Sequence, residues 1–187
     1  MITTEIHNAL ETLSKQQVIL YPTDTVWGIG CDATNEIAVS KIFELKNRNE
    51  SKSLVVLVDS YSMLEKYIDE IPDVIKTILS KNKKPTTIIY CNPKYLAKNT
   101  IAQDNTIAIR IVQDEFCKKL INKFGKPIVS TSANISGKST PKSFIEISKS
   151  ILDSVDYIVN LHKKKITNKS SSIIKIMDDN SIKVIRD

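Results

Sequence analysis

Three short stretches and a few isolated residues carry the groups that could do chemistry. The first stretch is Tyr21-Pro22-Thr23-Asp24-Thr25-Val26-Trp27-Gly28-Ile29-Gly30, which directly follows an apolar run and holds two of the chain's four glycines. In extended chain Thr23 and Thr25 point one way and Asp24 the other, so two hydroxyls are offered to one side. A Gly-x-Gly pair without the Walker spacing or the full dinucleotide fingerprint argues against a conventional phosphate loop. The structural reading of the same stretch is a β-turn punctuated by Pro and Gly. The second stretch, Lys46-Asn47-Arg48, offers two cations two residues apart. Such residues do not share a helix face, so they serve one ligand only if the helix ends near Lys46 and Arg48 swings back. The alternative is two cations favouring a helix C-terminus through its dipole. The third is Ser130-Thr131-Ser132-Ala133-Asn134. Alternation places Ser130, Ser132 and Asn134 on one face at the carboxyl end of a strand, where open α/β sheets bind ligands. Turn formation and capping by Ser and Asn is its structural alternative. Arg110, Ser171 and Arg186 complete the polar candidates. Cations and hydroxyls without a carboxylate cluster suit the binding of anions.

Other chemistries find little support. His7 and His162 lie in no pattern of Asp, Ser or Cys that would mark a triad, and they read as surface residues. No metal cluster is evident. Cys31, Cys91 and Cys117 are odd in number and far apart, and read as reduced thiols, mostly in the core. Lys and Arg outnumber Asp and Glu by 27 to 21, and the resulting net charge of +6 favours an anionic partner such as a nucleotide or RNA. No apolar run approaches the ~20 residues that span a bilayer, and Glu5 and Glu11 sit where a signal peptide would be basic and then apolar. The expectation is a cytosolic protein without membrane association.

The elements that must position these residues follow from periodicity. Ile6, Ala9, Leu10 and Leu13 form a helical stripe within residues 2–15, followed by a strand at Val18 to Tyr21. Asn35 caps a helix running toward Lys46. Strands are expected at Leu54 to Val58, Thr86 to Tyr90, Thr106 to Val112 and Pro127 to Thr131, with helices around Met63 to Ile68, Val74 to Leu79 and Glu115 to Phe124. On the strand from Thr106, the residues Thr106, Ala108 and Arg110 share one face and Ile107, Ile109 and Ile111 the other. A helix is expected from Pro141 to Leu152, then short strands at Tyr157 to Val159, Ser172 to Met177 and Ile182 to Ile185. Strands and helices alternate early and strands cluster late, the order of an α/β fold with a twisted mixed β-sheet flanked by helices. Residues 1–187 read as a single domain with no C-terminal extension.

Y-P-T-D-T-V-W-G-I-G, K-N-R, A-I-R and S-T-S-A-N-I-S-G, in that order, resemble the YrdC/TsaC family of threonylcarbamoyl-AMP synthases over nearly the whole chain. The resemblance implies the YrdC-like fold. It implies an enzyme that combines L-threonine, bicarbonate and ATP, with Mg²⁺ held by phosphates and water, into threonylcarbamoyl-AMP and pyrophosphate for t6A synthesis at position 37 of tRNA. It further implies a downstream threonylcarbamoyl transferase complex as partner. By the same match Thr23, Arg110, Ser130 and Ser171 contact threonine, and Lys46, Thr106, Ser132, Thr140 and Arg186 face ATP. Arg48 and Asn134 then line the reacting centre, with Lys46 and Ser132 beside them.

The chain departs from the family pattern in its loops. Asn82-Lys83-Lys84-Pro85 stands for a usual Trp-Pro-Gly-Pro, Asn160-Leu161-His162 for Asp-Gly-Gly, Asn49 for a proline and Asp114-Glu115 for His-Pro. If the lost glycines use positive φ, Lys84 or Leu161 there costs ~1 to 2 kcal/mol or redirects the loop. Two other function classes fit less of the sequence. One is a non-catalytic RNA-binding module, to which Lys163, Lys164, Lys165 and Lys169 would contribute. The other is an accessory domain of a carbamoyltransferase.

Overall fold

A computed structural model describes residues 1–48, 54–81, 84–167, 170–177 and 179–187. Asn49, Asn82, Lys83 and Lys169 therefore lie outside the described residues. The helices are α1 (Ile2–Ser14), α2 (Glu36–Lys46), α3 (Tyr61–Tyr67), α4 (Asp73–Lys81), α5 (Glu115–Phe124) and α6 (Lys149–Leu152). The strands are β1 (Ile19–Tyr21), β2 (Gly28–Gly30), β3 (Val55–Val58), β4 (Thr86–Cys91), β5 (Thr106–Ile111), β6 (Ile128–Ser132), β7 (Tyr157–Ile158), β8 (Ser172–Ile176) and β9 (Ile182–Arg186). They form one mixed sheet in the order β7-β1-β2-β6-β3-β5-β4-β8-β9.

Strand register divides the sheet into two chemically different faces. Ile88 pairs with Ile109, Ile109 with Val56 and Val56 with Val129, and all four are buried in the hydrophobic core. Each such side chain contributes about 1.5–3 kcal/mol relative to exposure, so this row fixes which face turns inward. One residue out of phase, Ile89 pairs with Ala108, Ala108 with Val55 and Val55 with Ser130. This second row makes the opposite face. Helix α5 buries Phe116, Cys117, Leu120 and Ile121. Asp114, on the segment where the family has His-Pro, caps it by accepting from the Cys117 N–H at 3.0 Å, and Gly125 in the left-handed region ends it. Among the described residues no helix is long and apolar enough to cross a membrane.

The structure corrects the sequence reading in three places. Gly28-Ile29-Gly30 is a strand, antiparallel to both β1 and β6, where a turn had been the structural alternative. The glycines are there for space: a Cβ on Gly30 would lie 2.4 Å from the Val129 carbonyl oxygen and 2.7 Å from the Tyr21 ring. Gly30→Ala is accordingly expected to destabilise the protein by about 1–3 kcal/mol through overpacking, read as a lower urea midpoint with an unchanged slope. Second, the helix expected from Pro141 to Leu152 is a 3₁₀ turn at Phe144–Glu146 followed by the four-residue α6. Ser143, Ile147 and Ser148 adopt extended dihedrals that interrupt it, although Phe144, Ile147 and Ile151 keep helical spacing. Third, the positive φ in the Asn160-Leu161-His162 segment falls on His162 (φ 52°) and not on Leu161. Cys31 and Cys117 are buried as expected, whereas Cys91 is exposed.

Candidate active site

The second face of the sheet floors a cavity of about 340 Å³, with Val55, Ile89, Ala108 and Ile173 at its base. Around this base stand Arg48, Arg110 and Arg186, the hydroxyls of Thr25, Ser130, Thr131, Ser132, Thr140, Ser170 and Ser171, and the wall residues Trp27 and Gly28. A second cavity of about 610 Å³ adjoins it, sharing Ser170 and Arg186 and adding Asp24, Lys84 and Asp187 among others. Residues from widely separated segments of the chain thus meet in one place.

Arg48 arrives by the route that the K-N-R spacing demanded. Helix α2 ends at Lys46, and Asn47 takes the left-handed conformation (φ 48°, ψ 47°). The Arg48 N–H then bonds to the Phe43 carbonyl at 2.9 Å and that of Asn47 to Glu44 at 3.0 Å, a Schellman closure that turns the chain back over the sheet. Asn tolerates this conformation better than most residues with a side chain. Lys46 itself is 1% exposed and is not part of the lining. Its Nζ donates to the carbonyl oxygens of Ser132 and Asn134, and its own carbonyl accepts from the Ser136 N–H at 2.8 Å. Lys46 is thereby a staple for the loop after β6.

Burial, with a smaller contribution from the neighbouring Arg48 charge, pulls the Lys46 ammonium down to about 7. The unfolded chain keeps that proton up to the ordinary lysine range, so between these values it binds more protons than the folded chain, and stability rises with pH. Above about 8.5 the effect is opposed, because burial pushes the Cys31 and Cys117 thiols up while unfolded thiols ionise. Unfolding free energy is therefore expected to rise from pH 7 to 8.5 by up to ~1.4 kcal/mol per pH unit, and Lys46→Met is expected to remove that rise. Urea titrations across this range measure it.

Arg110 is 5% exposed, and its Nη2 donates to Asp24 Oδ1 at 2.9 Å and to Thr25 Oγ1 at 3.4 Å. Its Nε is buried with no hydrogen-bond partner among the described residues. A buried N–H left in this way costs about 1–3 kcal/mol. Arg186 reaches the cavity from β9, and its Nε and Nη2 donate to the Ser171 carbonyl at 3.0 and 2.8 Å. The Ser171 hydroxyl lies 2.7 Å from that of Thr87. Gly28 leaves room for Ser130, since a Cβ there would stand 2.9 Å from the serine oxygen.

Of the residues singled out in the sequence, Arg48, Arg110, Ser130, Ser132, Thr140, Ser171 and Arg186 line the cavity together. Thr23, Lys46, Asn134 and Thr106 do not. Thr23 is buried, donating to the Val26 carbonyl at 2.8 Å and sharing a 3.0 Å contact with the Thr25 hydroxyl. Asn134 lies beyond the end of β6, and its amide bonds to the carbonyls of Ile135 and Lys138 while its Oδ1 accepts from Ser132 Oγ at 2.5 Å. Thr106 is on the cavity face one alternation before Ala108, and its hydroxyl donates to Asp104 at 2.6 Å. Sequence reasoning assigned no role to Asp24, Trp27 or Ser170. Asp24 carried a faint signal, because an acid buried beside an apolar strand needs a cation, but nothing in the sequence said which one. Trp27 packs on Phe144 with ring centroids 5.0 Å apart, and Lys163 caps Phe144 at 4.7 Å.

Comparisons with known proteins agree with this architecture. A protein named threonylcarbamoyl-AMP synthase from Pseudoalteromonas translucida is 37% identical over 155 residues, 81% of this chain and 83% of its own. One of the same name from Idiomarina loihiensis is 32% identical over 184 residues, 97% of this chain and 95% of its own. The crystal structure of P. abyssi Sua5 complexed with L-threonine superimposes with a TM-score of 0.84 at 26% identity. That match covers 97% of this chain and 53% of the other, so the present chain spans about half the length of that protein. The Sua5/YciO/YrdC family profile, described as "Telomere recombination", matches residues 11–187, and with these relatives it establishes that the chain belongs to this family.

Proposed function

We propose that this chain is a threonylcarbamoyl-AMP synthase that converts L-threonine, bicarbonate and ATP into threonylcarbamoyl-AMP and pyrophosphate for t6A synthesis in tRNA. The threonine amine and bicarbonate condense with loss of water to a carbamate. A carbamate oxygen then attacks the α-phosphorus, and pyrophosphate leaves. Two anions must meet for this step; at 4 Å and an effective dielectric near 20 their repulsion is ~4 kcal/mol per pair of unit charges. The observation that carries the reading is the convergence of Arg48, Arg110 and Arg186 on one hydroxyl-rich cavity that, among the described residues, is lined by no carboxylate.

In this reading Arg110, Ser130 and Ser171 hold threonine, Ser132, Thr140 and Arg186 face ATP, and Arg48 stands between the two reactants. Thr23, Lys46 and Asn134 act one layer behind by fixing the loops that bear Thr25 and Ser132. Thr106 belongs to the same face, beyond the present lining. A planar guanidinium gives a carboxylate or carbamate two parallel hydrogen bonds, which is why arginines rather than lysines border the cavity. Catalysis then rests on positioning and charge stabilisation without a covalent nucleophile. Among the described residues the lining of hydroxyls and cations offers Mg²⁺ no carboxylate, which fits an ion carried in by the phosphates and water of ATP. It would neutralise phosphate charge. The product passes to a threonylcarbamoyl transferase complex.

Incubation with ATP, labelled bicarbonate and threonine tests the proposal. The expected result is threonine-dependent release of pyrophosphate with label in an adenylate. No release, with salt-sensitive tRNA binding retained, would instead assign the chain to a non-catalytic RNA-binding module.

A further inference from the structure

An ion pair stands where the two cavities adjoin. Arg110 faces the smaller one, and Asp24 lines the larger. Their side chains are 5% and 8% exposed and meet at 2.9 Å. Asp24 is fixed from two sides, since Oδ1 accepts from Arg110 and Oδ2 accepts from the Gln113 N–H at 3.1 Å. Each carboxylate oxygen has a second lone pair, so Asp24 retains acceptor capacity toward its cavity. Arg110 in turn borders the smaller cavity as a guanidinium cation. A cationic donor and an anionic acceptor are thus held side by side on rigid backbone, complementary to a ligand that carries a carboxylate and an N–H group one carbon apart.

This pairing has a consequence for selectivity. A ligand with a carboxylate alone meets an Arg110 whose charge is already matched and feels repulsion from Asp24. A ligand that also carries an ammonium group satisfies both partners. After carboxylation the nitrogen still bears one N–H, so the acceptor keeps a donor through the reaction. We propose that Asp24 is the specificity-determining residue that selects an α-amino carboxylate over a simple carboxylate at this site, an assignment that rests on the threonine reading above.

Calorimetric titration of the full chain with L-threonine and with 3-hydroxybutyrate, which is threonine without its amine, tests the assignment. The wild-type protein is expected to bind threonine at least about tenfold more tightly, as sites with a committed polar group reject the ligand lacking its counterpart. Asp24→Asn keeps a carbonyl acceptor for Arg110 but removes the charge; it is expected to bring the two affinities within about threefold, mainly by weakening threonine, while ATP affinity stays within about twofold. A melting curve establishes that the variant is folded, and Asp24→Ser serves the same comparison if it is not. An undiminished preference in the folded variant, or equal binding of the two ligands by the wild type, overturns the assignment. Pyrophosphate release that still depends on threonine in the wild type would show that only the role of Asp24 had failed. Absence of both threonine binding and pyrophosphate release would remove the synthase reading with it.

Discussion

Arg110→Met is expected to destabilise the protein by about 3–5 kcal/mol and to abolish threonine-dependent pyrophosphate release. The stability loss does not come from the Coulomb attraction of the pair as such. It comes from leaving Asp24, 8% exposed, as a buried charge with the Gln113 backbone N–H for company. A surface pair would cost at most about 1 kcal/mol to break, so urea unfolding separates the two cases cleanly. The double variant Arg110→Met, Asp24→Leu removes both charges, and much of the lost stability is expected to return because apolar side chains tolerate this burial. Activity is not expected to return, since the guanidinium proposed to address the substrate is gone in both proteins. Arg110→Lys should restore little of it, because a point charge lacks the planar fork. Wild-type stability in Arg110→Met would show that the ion pair with Asp24 is not formed in solution.

How far this site was legible in the sequence depends on whether local or long-range forces position each residue. The strand alternation of β5 put Arg110 with Ala108 and opposite Ile107 and Ile109, and the structure keeps that division. The cap at Asn35, which accepts from the Ala38 N–H at 2.9 Å, and the end of α2 at Lys46 were equally readable, because both depend on chemistry within a few residues. What failed was set by neither strand alternation nor helical period. β2 is a strand because Tyr21 and Val129, on two flanking strands, leave no room for a Cβ at Gly30. In the region from Pro141 to Leu152 the apolar spacing was helical, but serine-rich backbone breaks won over it. Asn134 illustrates the same limit: alternation would carry it onto the face of Ser130 and Ser132, yet β6 ends at Ser132 and the amide is used to close its own loop. The resemblance supplied most of the cavity's cations and hydroxyls, but it could not distinguish residues that touch the space from those that hold the touching residues in place.

That distinction can be measured at the K-N-R segment. Lys46→Ala and Arg48→Ala are each expected to lower adenylate formation by about 10²-fold or more, the scale seen when a charge-stabilising donor is lost. They should differ in everything else. Removing the Lys46 amine, which is 1% exposed, takes a donor from both carbonyls; Ser132 keeps the Asn134 N–H at 2.8 Å, but the Asn134 carbonyl loses the donor it had, at a cost of about 1–3 kcal/mol. The loop that follows Ser132 loosens with it, so Lys46→Ala should lower the urea midpoint and weaken ATP binding together. Arg48 is only half-buried at the end of a Schellman turn whose hydrogen bonds are made by backbone, and those bonds survive truncation of its side chain. Arg48→Ala should therefore leave the turn closed and cost less stability than Lys46→Ala, while losing activity as fully. Unfolding curves and pyrophosphate release measured on the same two preparations decide the matter. Equal stability losses would mean that Lys46 is no more of a staple than its neighbour, whereas wild-type rates in both would take the segment out of the chemistry altogether.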